Sequence, residues 1–491
     1  MSAAPPEFRE IIALMRSGAW LDALQRIDAV LATKPAAPLH LIYRAQCLMA
    51  LRRKSEARAA AAAAEAFAPG DAFVRNAAGT VYSYANDHAR ALQSFDAALT
   101  HDPGNAQCLY NRAAVRRFLG DLDGAEQDYD RVIALRPSDY EAYKNRSDLR
   151  TQSVERNHIG QLQAALKSPI GDWRGEVQLR YALAKEYEDV GAYPESFEML
   201  RQGAGKQRQH TRYDVATDLA TVQWIIDAFP AAHLSATEPH GGAADAVVFV
   251  LGLPRSGTTL VERILSSHTA LSAAGELDCF ALALVAAVRR HTGRDRLPRE
   301  ELVAQAAAVD FAALGHDYLR RARSEVESPG RFVDKMPLNY LYCGLIRRAL
   351  PRAKIIHVTR HPMAACFAVY KALFKDAYPF SYDLGEIVRY YLGYRRLMDH
   401  WLAAMPGAIY SVSYEALVAD QVGESRKLLA FCGLEWQEAC ARPHENRAAS
   451  TTASAAQVRQ PVYASSLTQW QHYERQLAGL KAQLVAAGIA V

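Results

Sequence analysis

Long apolar runs are missing from this chain: in 491 residues no stretch approaches the roughly 18 continuous apolar residues that a membrane-crossing helix needs. Its start, Met1-Ser2-Ala3-Ala4-Pro5-Pro6-Glu7, has neither the basic nor the apolar region of a secretory leader. These absences predict a soluble, cytoplasmic protein with no membrane partner. An excess of one charge is missing too, since 57 Lys and Arg face 53 Asp and Glu for a net +4. A nucleic-acid partner is therefore not expected, and any anion site must be local. Cysteine is scarce: the seven residues at 47, 108, 279, 343, 366, 432 and 440 are odd in number and show no CxxC spacing. That argues against a disulfide framework and against zinc, leaves no metal site in view, and fits small buried thiols.

What is present is length and repetition. The chain is long enough for two or more domains, each with its own core. Prolines stand at 35, 69, 103 and 137, a constant step of 34, and alanines keep that step at 23, 57, 91 and 125. Twelve residues before each of these alanines come Ile11, Ala45, Gly79 and Ala113, mostly small residues that let two helices approach closely. Within one unit, Ala91, Phe95 and Ala98 fall on one helical face, and Asp102-Pro103-Gly104-Asn105 stops the helix. The alanine-rich Ala57–Ala66 reads as a repeat helix, alanine being the best helix former. The period and the small positions resemble tetratricopeptide repeats, stacked helical hairpins whose concave face commonly holds an extended peptide. A protein or peptide partner is expected there; the alternative is that the repeats form a homodimer or brace the second domain.

A second signal begins where Pro and Gly cluster at Phe229-Pro230 and Glu238-Pro239-His240-Gly241-Gly242. The run Val247-Val248-Phe249-Val250-Leu251-Gly252 leads into Leu253-Pro254-Arg255-Ser256-Gly257-Thr258-Thr259-Leu260, which reads as a buried strand, a small-residue turn and a helix start. Such a turn gathers free backbone N–H groups and the positive end of a helix dipole at one place, a cradle for phosphate or sulfate. A nucleotide-triphosphate loop has Lys directly before its Ser/Thr. Gly257 stands there instead, so the cradle relies on Arg255.

Pro254-Arg255-Ser256-Gly257-Thr258-Thr259 resembles the 5′-phosphosulfate loop of sulfotransferases that use 3′-phosphoadenosine 5′-phosphosulfate, the protein-tyrosine sulfotransferase branch most of all. The resemblance runs from about residue 245 to the end through several ordered motifs. It implies that Arg255, Ser256, Gly257, Thr258 and Thr259 bind the donor's 5′ side. Glu276, 21 residues after Arg255, would be the general base, and Lys335, after the apolar Phe332-Val333, would offset charge on the leaving oxygen with Arg255. His268 is a competing base, because the small-molecule branch uses His; its place at the end of the first helix favours a structural role. Arg360, opening Arg360-His361-Pro362, matches the arginine of the family's 3′-phosphate segment, and Tyr414 and Ser454 match other donor-site positions.

Two departures stand out. Ala368 replaces the family's Ser, which leaves open whether Cys366, Lys371 or backbone takes over its hydrogen bond. Gln469 replaces a Lys before Trp470, and Arg459 is the expected substitute for that charge. The aromatic Tyr378-Pro379-Phe380-Ser381-Tyr382 could line an acceptor cleft, although such side chains more often close a core edge.

The sequence therefore predicts an α-helical tetratricopeptide solenoid followed by a three-layer α/β sulfotransferase domain, P-loop-like with a parallel sheet. Its expected divisions are 4–138 repeats, 139–228 degenerate repeats and packing helices, 229–244 linker and 245–491 sulfotransferase domain. The expected reaction is metal-independent sulfuryl transfer from 3′-phosphoadenosine 5′-phosphosulfate to a hydroxyl-bearing acceptor. Peptide tyrosine is favoured, with carbohydrate and small phenols as alternatives. A scaffold with an inactive second domain and an ATP-dependent P-loop kinase are the competing readings.

Overall fold

The computed structural model describes residues 6–235, 247–326, 329–375, 377–446, 448–449, 457–462 and 465–491. The chain divides into a unit running to Thr151 and a larger one that takes up most of the rest.

The first unit is helical, built from hairpins such as Pro38–Ala50 with Lys54–Phe67, Ala72–Tyr84 with His88–His101, and Ala106–Leu119 with Leu122–Leu135. Its capping repeats with the fold. Asp71, Asn105 and Asp139 each accept a backbone N–H at the start of a first helix, and Asp87 and Asp121 do so for a second helix. Each such cap contributes about 1 kcal/mol. Ala45, Gly79 and Ala113 are buried between helices, as their size requires. In the alanine-rich helix, Ala57, Ala60, Ala61 and Ala64 form the buried face.

The second unit is built on a five-stranded sheet. Its strands are β1 (Val247–Gly252), β2 (Leu271–Gly275), β3 (Arg331–Lys335), β4 (Lys354–Thr359) and β5 (Ile409–Ser413). Their order is β2-β3-β1-β4-β5 and every pairing is parallel. β1 is buried at every position, as expected of a central strand with helices on both faces. Its side chains alternate between two apolar clusters: Phe249 and Leu251 join Phe332 and Ile355, whereas Val248 and Val250 join Val333, Ile356 and Val412. Helix, sheet and helix thus form three layers. The helices Trp173–Asp189 and Tyr193–Gln209 belong to this unit, and their Tyr181, Phe197 and Leu200 share a cluster with Phe249 and Trp401.

All seven cysteines are unbridged and buried. No helix among the described residues is long and apolar enough to cross a membrane.

Candidate functional site

In an open parallel sheet, ligands bind beyond the carboxyl ends of the strands. All five strands here deliver a chemistry-bearing group to that edge. β1 runs into the loop 253–257, β2 into Glu276, β3 ends on Lys335, β4 is followed by Arg360 and β5 by Tyr414. The central position of β1 places its loop between the groups carried by β3 and β4.

The loop is tightly wound. Arg255 adopts a left-handed conformation at φ 67°, uncommon for a residue with a side chain, and Gly257 follows at φ 107°. Gly257 is also the N-cap of the helix Thr258–Ser266, and no side chain closes that helix end. The first-turn N–H groups of Thr258 and Thr259 have no intrahelical partner by construction, so they are available to an anion. The Ser256 hydroxyl is buried and has no hydrogen-bond partner among the described residues. A Cβ at position 257 would lie 2.5 Å from the Tyr414 ring, so the residue must be glycine for space as well as for φ.

Arg360 ties the loop to its surroundings. Its Nη1 donates to the Arg255 carbonyl at 2.9 Å, its Nη2 donates to the Ser466 carbonyl at 2.6 Å, and the guanidinium lies 4.9 Å from the Tyr414 ring centre. The Tyr414 hydroxyl meets Ser466 Oγ at 3.0 Å. Arg255 itself donates to Gln457 Oε1 at 3.1 Å. The structure therefore brings Arg255, Gly257, Arg360 and Tyr414 together and adds Ser466 and Gln457, which sequence reasoning missed. Both sit in short helical turns without a motif, so the sequence carried no signal for them.

On the other side of β1, Lys335 is bonded to Glu276. The lysine is fully buried and the Glu276 side chain 43 % exposed, so the pair has a protein side and an open side. Burial raises the pKa of the Tyr378 phenol, and the charge of Glu276 raises it further. Phe374 packs edge-on against Tyr378 at 4.8 Å. Phe380 and Tyr382 are buried, and Phe380 stacks on Tyr390 at 3.6 Å.

His268 is spoken for: Nδ1 accepts the Ala270 N–H at 3.0 Å and Nε2 lies 3.1 Å from the Glu435 carbonyl. No ring nitrogen is left to act as a base. Cys366 is fully buried and its thiol pKa is pushed up by burial, so it does not replace the hydroxyl missing at Ala368. The Lys371 ammonium donates to both oxygens of Glu188, at 2.8 and 2.9 Å, and to Gln469 Oε1 at 2.9 Å, which uses all three of its donors. Trp470 stacks on His361 at 5.3 Å. Arg459 is near Arg263: burial lowers the pKa of both guanidiniums, and Arg459 lowers that of Arg263 further. Ser454 lies outside the described residues.

A glycine-turned loop at the edge of a parallel sheet, flanked by arginines and a lysine–carboxylate pair, marks this α/β domain. Residues 247–438 match the sulfotransferase family, and residues 8–72 and 76–149 match the tetratricopeptide repeat. The chain thus carries tetratricopeptide repeats ahead of a sulfotransferase-family domain. It is 29 % identical over 381 residues to an uncharacterized protein of Aquifex aeolicus (strain VF5), covering 76 % of this chain and 50 % of that protein. The chain therefore spans about half the length of that relative. It is 25 % identical over 233 residues to a Caenorhabditis briggsae protein named "Putative protein-tyrosine sulfotransferase", covering 46 % of this chain and 80 % of that one. Among solved structures, the sulfotransferase domain from the curacin biosynthetic pathway aligns with 16 % identity over 48 % of this chain and 97 % of its own, with a TM-score of 0.34.

Proposed function

We propose that the chain transfers a sulfuryl group from 3′-phosphoadenosine 5′-phosphosulfate to a hydroxyl group, with a tyrosine in a peptide as the favoured acceptor. The observation that carries this reading is the convergence of the Arg255 loop, Arg360 and the Lys335–Glu276 pair on one sheet edge. The loop fits the donor: its buried Ser256 hydroxyl has no partner among the described residues, and its helix start is open to an anion. When bound, the donor supplies an activated sulfuryl group on a phosphate leaving group.

Glu276 takes the proton of the acceptor hydroxyl as the new S–O bond forms, a role typically worth about 10²–10⁴-fold in rate. Arg255 and Lys335 meet the charge that builds on the departing phosphate oxygen. Thr258 and Thr259 hold the nonbridging oxygens, and Arg360 and Tyr414 grip the nucleotide end, with Ser454 and Arg459 as further donor contacts. Phe374 and Tyr378, half-buried and packed edge-on, offer an aromatic surface that suits a phenolic acceptor. The repeats suit an extended partner chain, and the name of the Caenorhabditis briggsae relative points to a protein acceptor.

One observation favours the scaffold reading. Lys371 is fully engaged by Glu188 and Gln469, and Ala368 brings no hydroxyl, so the 3′-phosphate end is poor in donors. Calorimetric titration with 3′-phosphoadenosine 5′-phosphate, against ADP and magnesium-ATP, separates the readings. Selective metal-free binding that weakens about 10–100-fold in Arg255→Ala and in Arg360→Ala supports a donor site, the loss expected for one charge-assisted contact. No binding in the wild type leaves the scaffold.

A further inference from the structure

The segment 465–473, a short helix followed by a tight turn, lies along the helix Pro362–Tyr370. It is fixed at both ends of that helix. At the N-terminal end the Ser466 carbonyl accepts Arg360 Nη2, Ser466 Oγ meets the Tyr414 hydroxyl, and Trp470 stacks on His361. At the C-terminal end Gln469 Oε1 accepts Lys371 Nζ at 2.9 Å, and the Tyr473 ring packs on Phe367 at 4.6 Å.

One carboxylate ties down the second end. Glu188, near the end of the helix Trp173–Asp189 and only 11 % exposed, accepts Lys371 Nζ on both oxygens, Gln469 Nε2 on Oε1 at 2.6 Å and the Tyr473 hydroxyl on Oε2 at 2.9 Å. The next helix, Tyr193–Gln209, adds Ser196, whose Oγ lies 3.1 Å from the Tyr473 hydroxyl, and Tyr193, which stacks on His472 at 4.2 Å. Hydrogen bonds to an ionised group are the strong kind, and three side chains that share one acceptor support one another. A neutral Gln469 suits this place, because its amide accepts from the ammonium and donates to the carboxylate at once; a lysine there would offer donors only.

From this geometry we infer that Glu188 is a positioning residue of the donor site: it anchors the segment 465–473, whose other end holds Arg360 and Tyr414 beside the loop 253–257. The inference rests on the reading of Arg360 and Tyr414 as donor contacts, since only then does the setting of the segment reach donor affinity. Arg360 is where the effect arrives, because its guanidinium bonds the Ser466 carbonyl on one side and the Arg255 carbonyl on the other. Gln469 then has a function of its own, as the bridge between Lys371 and Glu188.

The test uses the full chain with Glu188→Ala, Glu188→Gln, Tyr473→Phe, and Arg360→Ala alone and combined with Glu188→Ala. Hydrogen exchange over residues 465–473 should quicken about tenfold in Glu188→Ala and about threefold in Tyr473→Phe, which keeps the ring on Phe367 and loses one bond, while residues 247–252 keep the wild-type rate. Calorimetric affinity for 3′-phosphoadenosine 5′-phosphate should fall about 5–10-fold in Glu188→Ala and return toward wild type in Glu188→Gln, whose amide oxygen still accepts. In the Arg360→Ala background the same Glu188→Ala change should cost less than about twofold, because the segment then has no guanidinium to hold; a substitution that merely destabilises costs the same in either background. Unchanged exchange or full additivity overturns the inference, as does tighter binding in Glu188→Ala, which would make Glu188 a competitor of phosphate for Lys371. If Glu188→Ala does not fold, Tyr473→Phe carries the same comparison. Should the wild type bind no nucleotide, the functional reading fails, while the exchange rates still decide whether Glu188 anchors the segment.

Discussion

The repeats and the surroundings of the loop 253–257 treat buried acid in opposite ways. In the repeats, Asp128 is bonded to Arg112 at 2.6 Å and to Arg116 at 2.8 Å, and Glu126 pairs with Arg150. In the sheet unit, Glu386 is paired in the same manner with Arg208, and Glu186 accepts the His158 backbone N–H at 2.6 Å. Beside the anion loop the pattern changes: Glu262 and Asp334 have no ion-pair partner of their own among the described residues, and one buried lysine serves them and Glu276 together. A buried ion pair with its partners in place is architecture. A buried acid left short of partners marks a place where packing has been given up for chemistry.

The sharpest break in this comparison is Asp128→Ala. It leaves Arg112 and Arg116 without their buried counter-charge, and urea unfolding should show a loss of about 3 kcal/mol, the low end for a broken buried pair because both arginines keep some exposure. Asp334→Asn should act in the opposite direction. Burial raises the Asp334 pKa to about 7, against 3.8 for the free group. The folded state therefore binds more protons than the unfolded one between these values, and this group makes stability fall as pH rises from about 4 to about 7. Removing the charge should flatten that fall and leave the variant more stable than wild type above pH 7, by on the order of 2 kcal/mol, read from unfolding curves at pH 5 and pH 8. Asn105→Ala, the loss of one repeated cap, should cost the first unit about 1 kcal/mol with no effect on donor affinity, which calorimetry and urea unfolding check together.

Local features were the legible ones. The repeat is written in prolines and small residues at a fixed step, because each hairpin makes its contacts within itself and with its neighbours. The strand, loop and helix around Arg255 are contiguous and so read directly, including the displacement of a lysine by Gly257. Glu276, Lys335, Arg360 and Tyr414 came through ordered motifs, and it is the parallel sheet that makes their separate positions one edge. The remainder depends on contacts between distant segments, which leave no periodic trace. Ser466 reaches Tyr414 across 52 residues, and Glu188 reaches Lys371 across 183, from a helix that the pattern alone assigns to degenerate repeats.

The Tyr414 ring lies where a side chain at position 257 would begin. Exchange of Gly257 for the lysine of a nucleotide-triphosphate loop would need the ring to leave first, and the ring is itself held by Arg360 and Ser466. A loop of this backbone therefore admits no side chain at position 257 while the Tyr414 ring keeps its place.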